Sequence, residues 1–268
     1  MTSDADLLRR VFDARAAYNE LGNTVIAGSW ARFVHSAETP NVHDANLVTR
    51  VWAGTDDEID RVLARADEVY GDLRHRKVMI DPDTPAAFEA RLVLDGYELH
   101  AHVELVLEGE LRAPPDASVD VRRVESNDDR RSLTELWQAQ HDEEVAKGQH
   151  DPWRPGVVEQ MVTSKQFKAP ALSFWLARVD ETDVAFFSSW PGLDDVGIVE
   201  DLFTRPEFRH RGIATALIVH SIADARERGA GPVAISARAD DTPKQMYAAL
   251  GFRPFAISRS YLKRLETD

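Results

Sequence analysis

Three short apolar runs, residues 172–179, 184–189 and 197–204, follow one another with only turn residues between them. The separators are Asp180-Glu181-Thr182-Asp183 and Pro191-Gly192-Leu193-Asp194-Asp195. They are too short and too rich in turn formers to hold a helix, so three consecutive strands are predicted. The hydrophobic period then changes. Ala214, Leu217, Ile218, Ser221, Ile222 and Ala225 recur at helical spacing within residues 211–228. Residues 232–237 read as a strand and residues 242–250 as a helix, with Gly251 placed to stop it. Upstream, residues 119–124 read as a strand and residues 131–145 and 155–167 as helices. Residues 252–257 and a short run near Tyr261 complete the sheet. A chain ordered βααβββαβαβ belongs to the α/β class.

The stretch Arg112-Ala113-Pro114-Pro115-Asp116-Ala117-Ser118 can continue neither a helix nor a central strand. It divides the 268 residues into segments 1–115 and 116–268. In the first, residues 6–21 read as a helix closed by Gly22, and residues 30–35, 47–52 and 77–80 as short strands. Thr55 stands three residues before Glu58, a capping-box spacing, and Ile59, Val62, Leu63, Ala66 and Val69 continue as a helix. Residues 84–94 form another helix, with Pro85 in its first turn and Gly96 beyond its end. Residues 97–107 alternate and read as a strand.

Composition removes several function classes. The chain has no Cys, which excludes disulfides, Cys-ligated zinc and an acyl-cysteine intermediate. It carries 46 acids against 32 bases, a net charge of −14. A field of that sign repels nucleic acid and anionic lipid. No stretch approaches the roughly 20 apolar residues of a membrane span. Residues 1–10, with Asp4 and Asp6, do not read as a secretory signal. A cytoplasmic protein with no nucleic-acid or membrane partner is expected. Residues 1–115 hold 21 acids and 12 bases, whereas residues 116–268 hold 25 and 20.

Several of those later bases fall at one point. Val199-Glu200-Asp201-Leu202-Phe203-Thr204 leads through Arg205-Pro206-Glu207-Phe208 into Arg209-His210-Arg211-Gly212-Ile213-Ala214-Thr215, where a helix begins. A helix N-terminus presents unpaired N–H groups and the positive end of the helix dipole, which makes it an anion site. Gly212 lacks a Cβ and Ala214 is small, so a phosphate has access to the backbone. Arg205, Arg209, His210 and Arg211 add positive charge in an acidic chain. A P-loop is absent, since no Lys-Ser/Thr follows the glycine, and so is the glycine triplet of a dinucleotide site. A solvent-facing basic helix start would carry the same residues, so the pattern alone leaves both readings open.

Glu200-Asp201-Leu202-Phe203, then Pro206-Glu207-Phe208, then Arg209 and Gly212 with Ala214 at the Arg-x-x-Gly-x-Ala spacing, together resemble the acyl-CoA site of the GNAT acetyltransferase superfamily. Asp240-Asp241-Thr242-Pro243-Lys244-Gln245-Met246-Tyr247-Ala248-Ala249-Leu250-Gly251-Phe252 resembles that family's second signature, a tyrosine four residues before a Gly-Phe pair. Asp240 stands where the family usually has Asn. The resemblance covers roughly residues 118–265. It implies a GNAT acyl-CoA N-acyltransferase fold, a mixed central sheet flanked by helices. It further implies transfer of acetyl from acetyl-CoA to an amine that attacks directly in a ternary complex. Glu200 would be the general base and Tyr247 the general acid. Leu202, Phe203 and Thr204 would lie along the pantetheine arm. The main chain of Arg209, His210, Arg211, Gly212, Ile213, Ala214 and Thr215 would hold the diphosphate, with Asp240 as a further cofactor contact. The residue types allow other roles: Glu200 also reads as a solvated or salt-bridged strand carboxylate and Tyr247 as an aromatic core residue. A non-catalytic acyl-CoA sensor with the same fold is the competing reading. By strand alternation Glu200 should share a face with Leu202 and Thr204, with Asp201 on the other.

His141, Glu143, Glu144, His150 and Asp151 match no metal-ligand spacing and read as a solvated helix-to-loop face, and no metal is expected. With Asp194 and Asp195 they would make an acceptor pocket acidic and favour a cationic small-molecule amine. Trp153, Trp175 and Trp190 read as pocket liners or as core. His100 and His102 read as surface or packing residues. In the first segment, residues 84–97 resemble the second signature in weakened form. Gly96-Tyr97 stands for Gly-Phe, Phe88 is off the tyrosine spacing, and no Arg-x-x-Gly-x-Ala loop precedes it. Residues 1–115 are therefore expected to be a degenerate GNAT-like half without a cofactor motif, in tandem with a catalytic domain at 116–268. An unrelated α/β module is the alternative.

Overall fold

Residues 3–112, 119–148, 153–238 and 243–265 are described by the computed structural model. Most of the proline-containing divider lies outside them, as do His150, Asp151 and Asp240. The chain forms two units: Met1–Glu104, Ala237–Asp241 and Phe255–Asp268 make the first, Leu105–Ser236 and Thr242–Pro254 the second. These differ from the 1–115 and 116–268 segments read from sequence. The reason is that the strands at residues 98–107, 233–238 and 253–264 each have residues in both units.

In the first unit, α1 (Asp4–Glu20) starts at Ser3, whose Oγ accepts the Asp6 N–H at 3.2 Å. Next come β1 (Thr24–Ala27), β2 (Arg32–His35) and β3 (Leu47–Thr49), then α2 (Asp56–Val69), β4 (His75–Ile80), α3 (Ala86–Leu94) and β5 (Glu98–Leu107). β1, β2 and β3 pair antiparallel in turn, and β4 runs parallel to β3. The core is built where Phe33, Val48 and Val78 of the strands meet Ile59, Val62 and Ala66 of α2 and Phe88 and Leu92 of α3. Tyr70 is buried among them, its hydroxyl 2.6 Å from Leu47 O and 3.0 Å from Val34 O. Its polar tip is thus satisfied inside an apolar core. Arg15 and Glu104 form a buried ion pair at 2.9 Å, and Ser258 Oγ donates to the same carboxylate at 2.7 Å.

The second unit contains β6 (Asp120–Arg123), α4 (Asn127–Ala146), α5 (Val157–Phe167), β7 (Ser173–Val179), β8 (Thr182–Leu193), β9 (Val196–Thr204), α6 (Ile213–Glu227), β10 (Val233–Arg238) and α7 (Pro243–Leu250). The order β6-β7-β8-β9 is antiparallel throughout, and β10 is parallel to β9. Both hairpins close on two left-handed residues, Asp180 and Glu181 (φ 46° and 63°) and Asp194 and Asp195 (φ 48° and 60°). Turns of that hand match the twist of the flanking strands. β8 consequently runs past its expected end at Ser189, through Gly192, to Leu193. Gly192 has φ +92°, and a Cβ there would meet Val196 O at 1.6 Å, so only glycine fits.

One face of this sheet packs on α4, where the Trp137 and Phe186 rings lie 5.0 Å apart. The other packs on α6, where Ser189 Oγ donates to Asp224 at 2.6 Å and Trp175 meets His220 at 4.2 Å. Trp175 and Trp190 are buried in this core. The last strand, β11 (Arg253–Arg264), is continuous where two runs were expected, and its residues 259–264 pair antiparallel with β4.

The order αβββαβαβ occurs twice, as α1 β1 β2 β3 α2 β4 α3 β5 and as α5 β7 β8 β9 α6 β10 α7 β11. In each, two antiparallel pairings are followed by one parallel pairing. Among the described residues, no helix is long and apolar enough to cross a membrane.

Candidate active site

β9 is irregular in the stretch that carries the first motif. Ser188 pairs with Glu200 and Phe186 with Phe203, so β9 advances three residues while β8 advances two. The extra residue falls at Asp201, whose φ is +65°. One strand with one residue more than its partner is a β-bulge, and it shifts the parity of everything beyond it. Glu200 therefore shares the side of Ser188, Phe186 and Phe203, where α4 packs, whereas Thr204 is opposite Ala185 on the α6 side. The expected common face of Glu200 and Thr204 is corrected by this bulge. Asp201 also departs from simple alternation: its carboxylate reaches Lys165 of α5 at 2.7 Å and Ser188 Oγ at 3.3 Å.

β10 pairs with β9 at two positions only, Val233 with Gly197 and Ala234 with Ile198. Beyond Ile198, no described residue of β10 pairs with β9. The β9 edge facing away from β8 at Leu202, Phe203 and Thr204 thus presents backbone groups that an extended ligand can pair with. That edge leads to the start of α6. After a short helical turn at Pro206–Phe208, His210 (φ +61°) and Gly212 (φ +79°) are both left-handed. Left-handed residues in a loop turn N–H groups inward and form an anion-binding concavity. Gly212 caps α6 with no side-chain hydrogen bond, and the first turn holds no acid. The amides of Ile213, Ala214 and Thr215 are left by the helix itself without acceptors. Phe203 and Ile213 point their side chains into the core, so the main chain is what they present to this site.

The cations here are held in place. Arg209 donates Nε to Thr204 O at 2.9 Å and both terminal nitrogens to the Glu143 carboxylate at 2.7 and 2.6 Å. Its guanidinium lies 5.9 Å from the Phe203 ring. Arg211 donates to Glu207 O at 3.1 Å and covers the Phe208 ring at 5.2 Å. Thr204 Oγ1 and Arg205 Nε are buried without a hydrogen-bond partner among the described residues. Buried polar atoms are nearly always paired, so a polar ligand at this end of β9 fits both.

Glu200 is half-buried and Leu202 likewise. Tyr247 is buried on α7, its ring centroid 5.9 Å from that of Phe252, and its carbonyl accepts the Phe252 N–H at 3.0 Å. Asp240 lies outside the described residues. Of the acids expected near the acceptor, Asp194 and Asp195 form the turn at the end of β9 remote from the start of α6, and Arg209 and Lys147 hold the Glu143 carboxyl below the usual carboxylate range. His141 Nε2 accepts the Trp153 N–H at 3.0 Å, and the two rings stack at 4.0 Å. Both line a cavity of about 290 Å³ with Gln138, Arg154 and Glu159. Among the described residues, no three His, Asp or Glu side chains gather to hold a metal ion. The Glu143–Arg209 and Lys165–Asp201 pairs span 66 and 36 residues, and no local pattern signals them.

Residues 130–252 match the model of the acetyltransferase (GNAT) family. Among solved structures, the chain is similar to a GCN5-related N-acetyltransferase from Kribbella flavida, with 16% identity over 98% of this chain and 96% of that one and a TM-score of 0.69. It is similar to a functionally unknown conserved protein from Staphylococcus epidermidis, with 14% identity over 91% and 95% of the two chains and a TM-score of 0.70. It is also similar to a tandem GNAT protein from the clavulanic acid biosynthesis pathway, with 13% identity over 91% and 82% and a TM-score of 0.58. At these identities the likeness is one of fold, and it agrees with the mixed sheet flanked by helices. No curated protein matches the chain. The part of the chain that carries β9, α6 and α7 belongs to the GNAT family of acetyltransferases.

Proposed function

We propose that the second unit is an acetyl-CoA-dependent N-acetyltransferase acting on a small-molecule amine. The observation that carries this reading is the open β9 edge running into an uncapped, cation-flanked helix start. An extended amide-containing arm ending in a diphosphate has the shape and charge that this run of backbone groups can bind. Acetyl-CoA supplies the acyl group as a thioester. Glu200 takes the proton that the amine loses as its nitrogen bonds to the acyl carbon. Tyr247 gives a proton to the sulfur as the carbon–sulfur bond breaks. Asp201 is less suited to be the base because Lys165 and Ser188 already engage its carboxylate.

The first unit, in this reading, is a GNAT-like half without a donor site. At the corresponding place, between β3 and α2, Glu58 accepts the N–H groups of Gly54 and Thr55 at 2.9 and 3.0 Å. Asp56 and Asp57 add negative charge to the same turn.

The test is release of free CoA thiol when acetyl-CoA is added with a panel of small amines. Acceptor-dependent release that follows acetylated amine supports the proposal. CoA binding by calorimetry with no turnover on any acceptor supports the sensor reading instead, and no binding refutes both.

A further inference from the structure

Glu143 is remote in sequence from every motif residue, yet it is the group that Arg209 grips most closely. Arg209 opens the Arg-x-x-Gly-x-Ala loop. All three of its side-chain nitrogens are engaged: Nε on Thr204 O at 2.9 Å and the two terminal nitrogens on Glu143 at 2.7 and 2.6 Å. The first bond ties the loop to the end of β9. The other two tie it to the last turns of α4. A fork-to-fork pair of this kind fixes both distance and plane, which a single contact cannot do. The Glu143 side chain is 15% exposed and that of Arg209 35%, so the pair is shielded from water more than a surface ion pair. Lys147, one turn along α4, also contacts Glu143.

The geometry assigns Glu143 as a positioning residue for the donor site: it holds Arg209, and through Arg209 it sets the loop whose amides receive the diphosphate. This rests on the acyl-CoA reading of that loop. Glu143 itself touches no reacting atom. Its effect should fall on binding of the part of the donor that the loop contacts. Donors that lack the diphosphate should not feel it.

The experiment compares wild type with Glu143→Gln, using acetyl-CoA and S-acetylpantetheine as donors with the acceptor turned over best. Glutamine keeps the shape and removes the charge. The expected result is a roughly tenfold rise in KM for acetyl-CoA with kcat within twofold, and no change in kcat/KM for S-acetylpantetheine. Arg209→Lys, which keeps charge but not the fork, should show the same split. The double variant should be no worse than Arg209→Lys alone, because Glu143 acts through Arg209. CoA affinity measured by calorimetry on the same variants gives a readout that does not need turnover. A melting temperature close to that of wild type identifies folded protein. An unchanged KM and CoA affinity in Glu143→Gln overturns the assignment, as does tighter CoA binding or an equal loss with both donors. If wild type binds no CoA, the acyltransferase reading falls and the assignment with it; if wild type binds CoA and the variant binds equally well, only the assignment falls.

Discussion

The sharpest perturbation is a charge placed at the start of α6. Gly212 caps that helix with φ +79° and ψ −7°, has no side chain to occupy the first-turn amides, and is exposed. A glutamate there would set a carboxylate beside the position proposed for the diphosphate. At a separation of about 5 Å, and an effective dielectric between the ~20 of a surface pair and the ~80 of water, each unit charge repels by roughly 1 to 3 kcal/mol. A diphosphate presents about two such charges, so the loss is about 3 kcal/mol or more, some two orders of magnitude in Kd. Strain is a separate cost, because a residue with a Cβ in this left-handed conformation gives up about 1–2 kcal/mol of folding stability. Gly212→Gln carries that strain without the charge. Titration calorimetry with CoA on Gly212→Gln and Gly212→Glu therefore isolates the electrostatic part. The expected result is Glu binding about a hundredfold more weakly than Gln, with the gap narrowing as salt is raised. Equal Kd values in the two variants would refute the placement of an anion at this helix start. Wild-type affinity in both would refute the loop as a contact of any kind.

Tyr247→Phe should lower kcat by about 10² or more, the lower range for loss of a general acid, with CoA affinity unchanged by calorimetry; undiminished kcat removes Tyr247 from the chemistry. Glu200→Gln should lower kcat most at pH values where the acceptor amine is protonated, and a pH–rate profile identical to wild type would point to another base. Calorimetry should give one CoA site per chain, because Glu58 already holds the two amides just ahead of α2 and Thr55 Oγ1 caps its first turn; two equivalent sites would contradict that. The first unit should lose stability in acid. Burial, reinforced by mutual repulsion between two tilted rings with centroids 4.3 Å apart, lowers His43 from 6.5 to about 3, and burial lowers His75 from 6.5 to about 4. Both are held neutral in the folded state, so their contribution is present above about pH 6.5 and is withdrawn as pH falls toward 4. Each tenfold change in proton affinity is worth about 1.4 kcal/mol, so the two rings together account for several kcal/mol. Urea unfolding at pH 7 and pH 4.5 should show the loss, and a His43→Gln, His75→Gln double variant that keeps the full pH dependence would disprove the cause.

The elements were readable where local chemistry decides them. The capping box of Thr55 and Glu58 is present as its spacing implied, with Glu58 accepting the Thr55 N–H and Thr55 Oγ1 accepting the Glu58 N–H. The glycine read at the head of α6 stands at its N-cap, left-handed and with no side-chain hydrogen bond. Alternation failed at Asp201, because a bulge is set by how two strands pair and not by the hydrophobic order of one. β8 outran its expected end because two aspartates at φ 48° and 60° close the hairpin, and the preceding Pro and Gly stay in the strand. The restraint on Arg209 was invisible for a different reason. Its partner Glu143 lies on a helix whose sequence reads as an ordinary solvated face, and only the fold brings the two together.

The two helix starts that follow the third strand of each repeat make the functional argument sharper than either does alone. Topology is the same: three antiparallel strands, a helix, and a fourth strand parallel to the third. The dipole at the N-terminus of α2 and of α6 is therefore of the same kind. What differs is how each is neutralised. At α2, three acids, Asp56, Asp57 and Glu58, stand in the first turn, and the Glu58 carboxylate takes the two N–H groups that precede the helix. Those same hydrogen bonds keep the Glu58 carboxyl below its usual range, so it stays anionic. At α6 the acid and the capping side chain are both missing, and Arg209 and Arg211 flank the opening. An anion arriving at α2 would have to displace a tethered carboxylate and face two more. An anion arriving at α6 meets amides without a cap. Fold alone would allow a donor site in either repeat; on the acyl-CoA reading proposed above, local electrostatics favours the second.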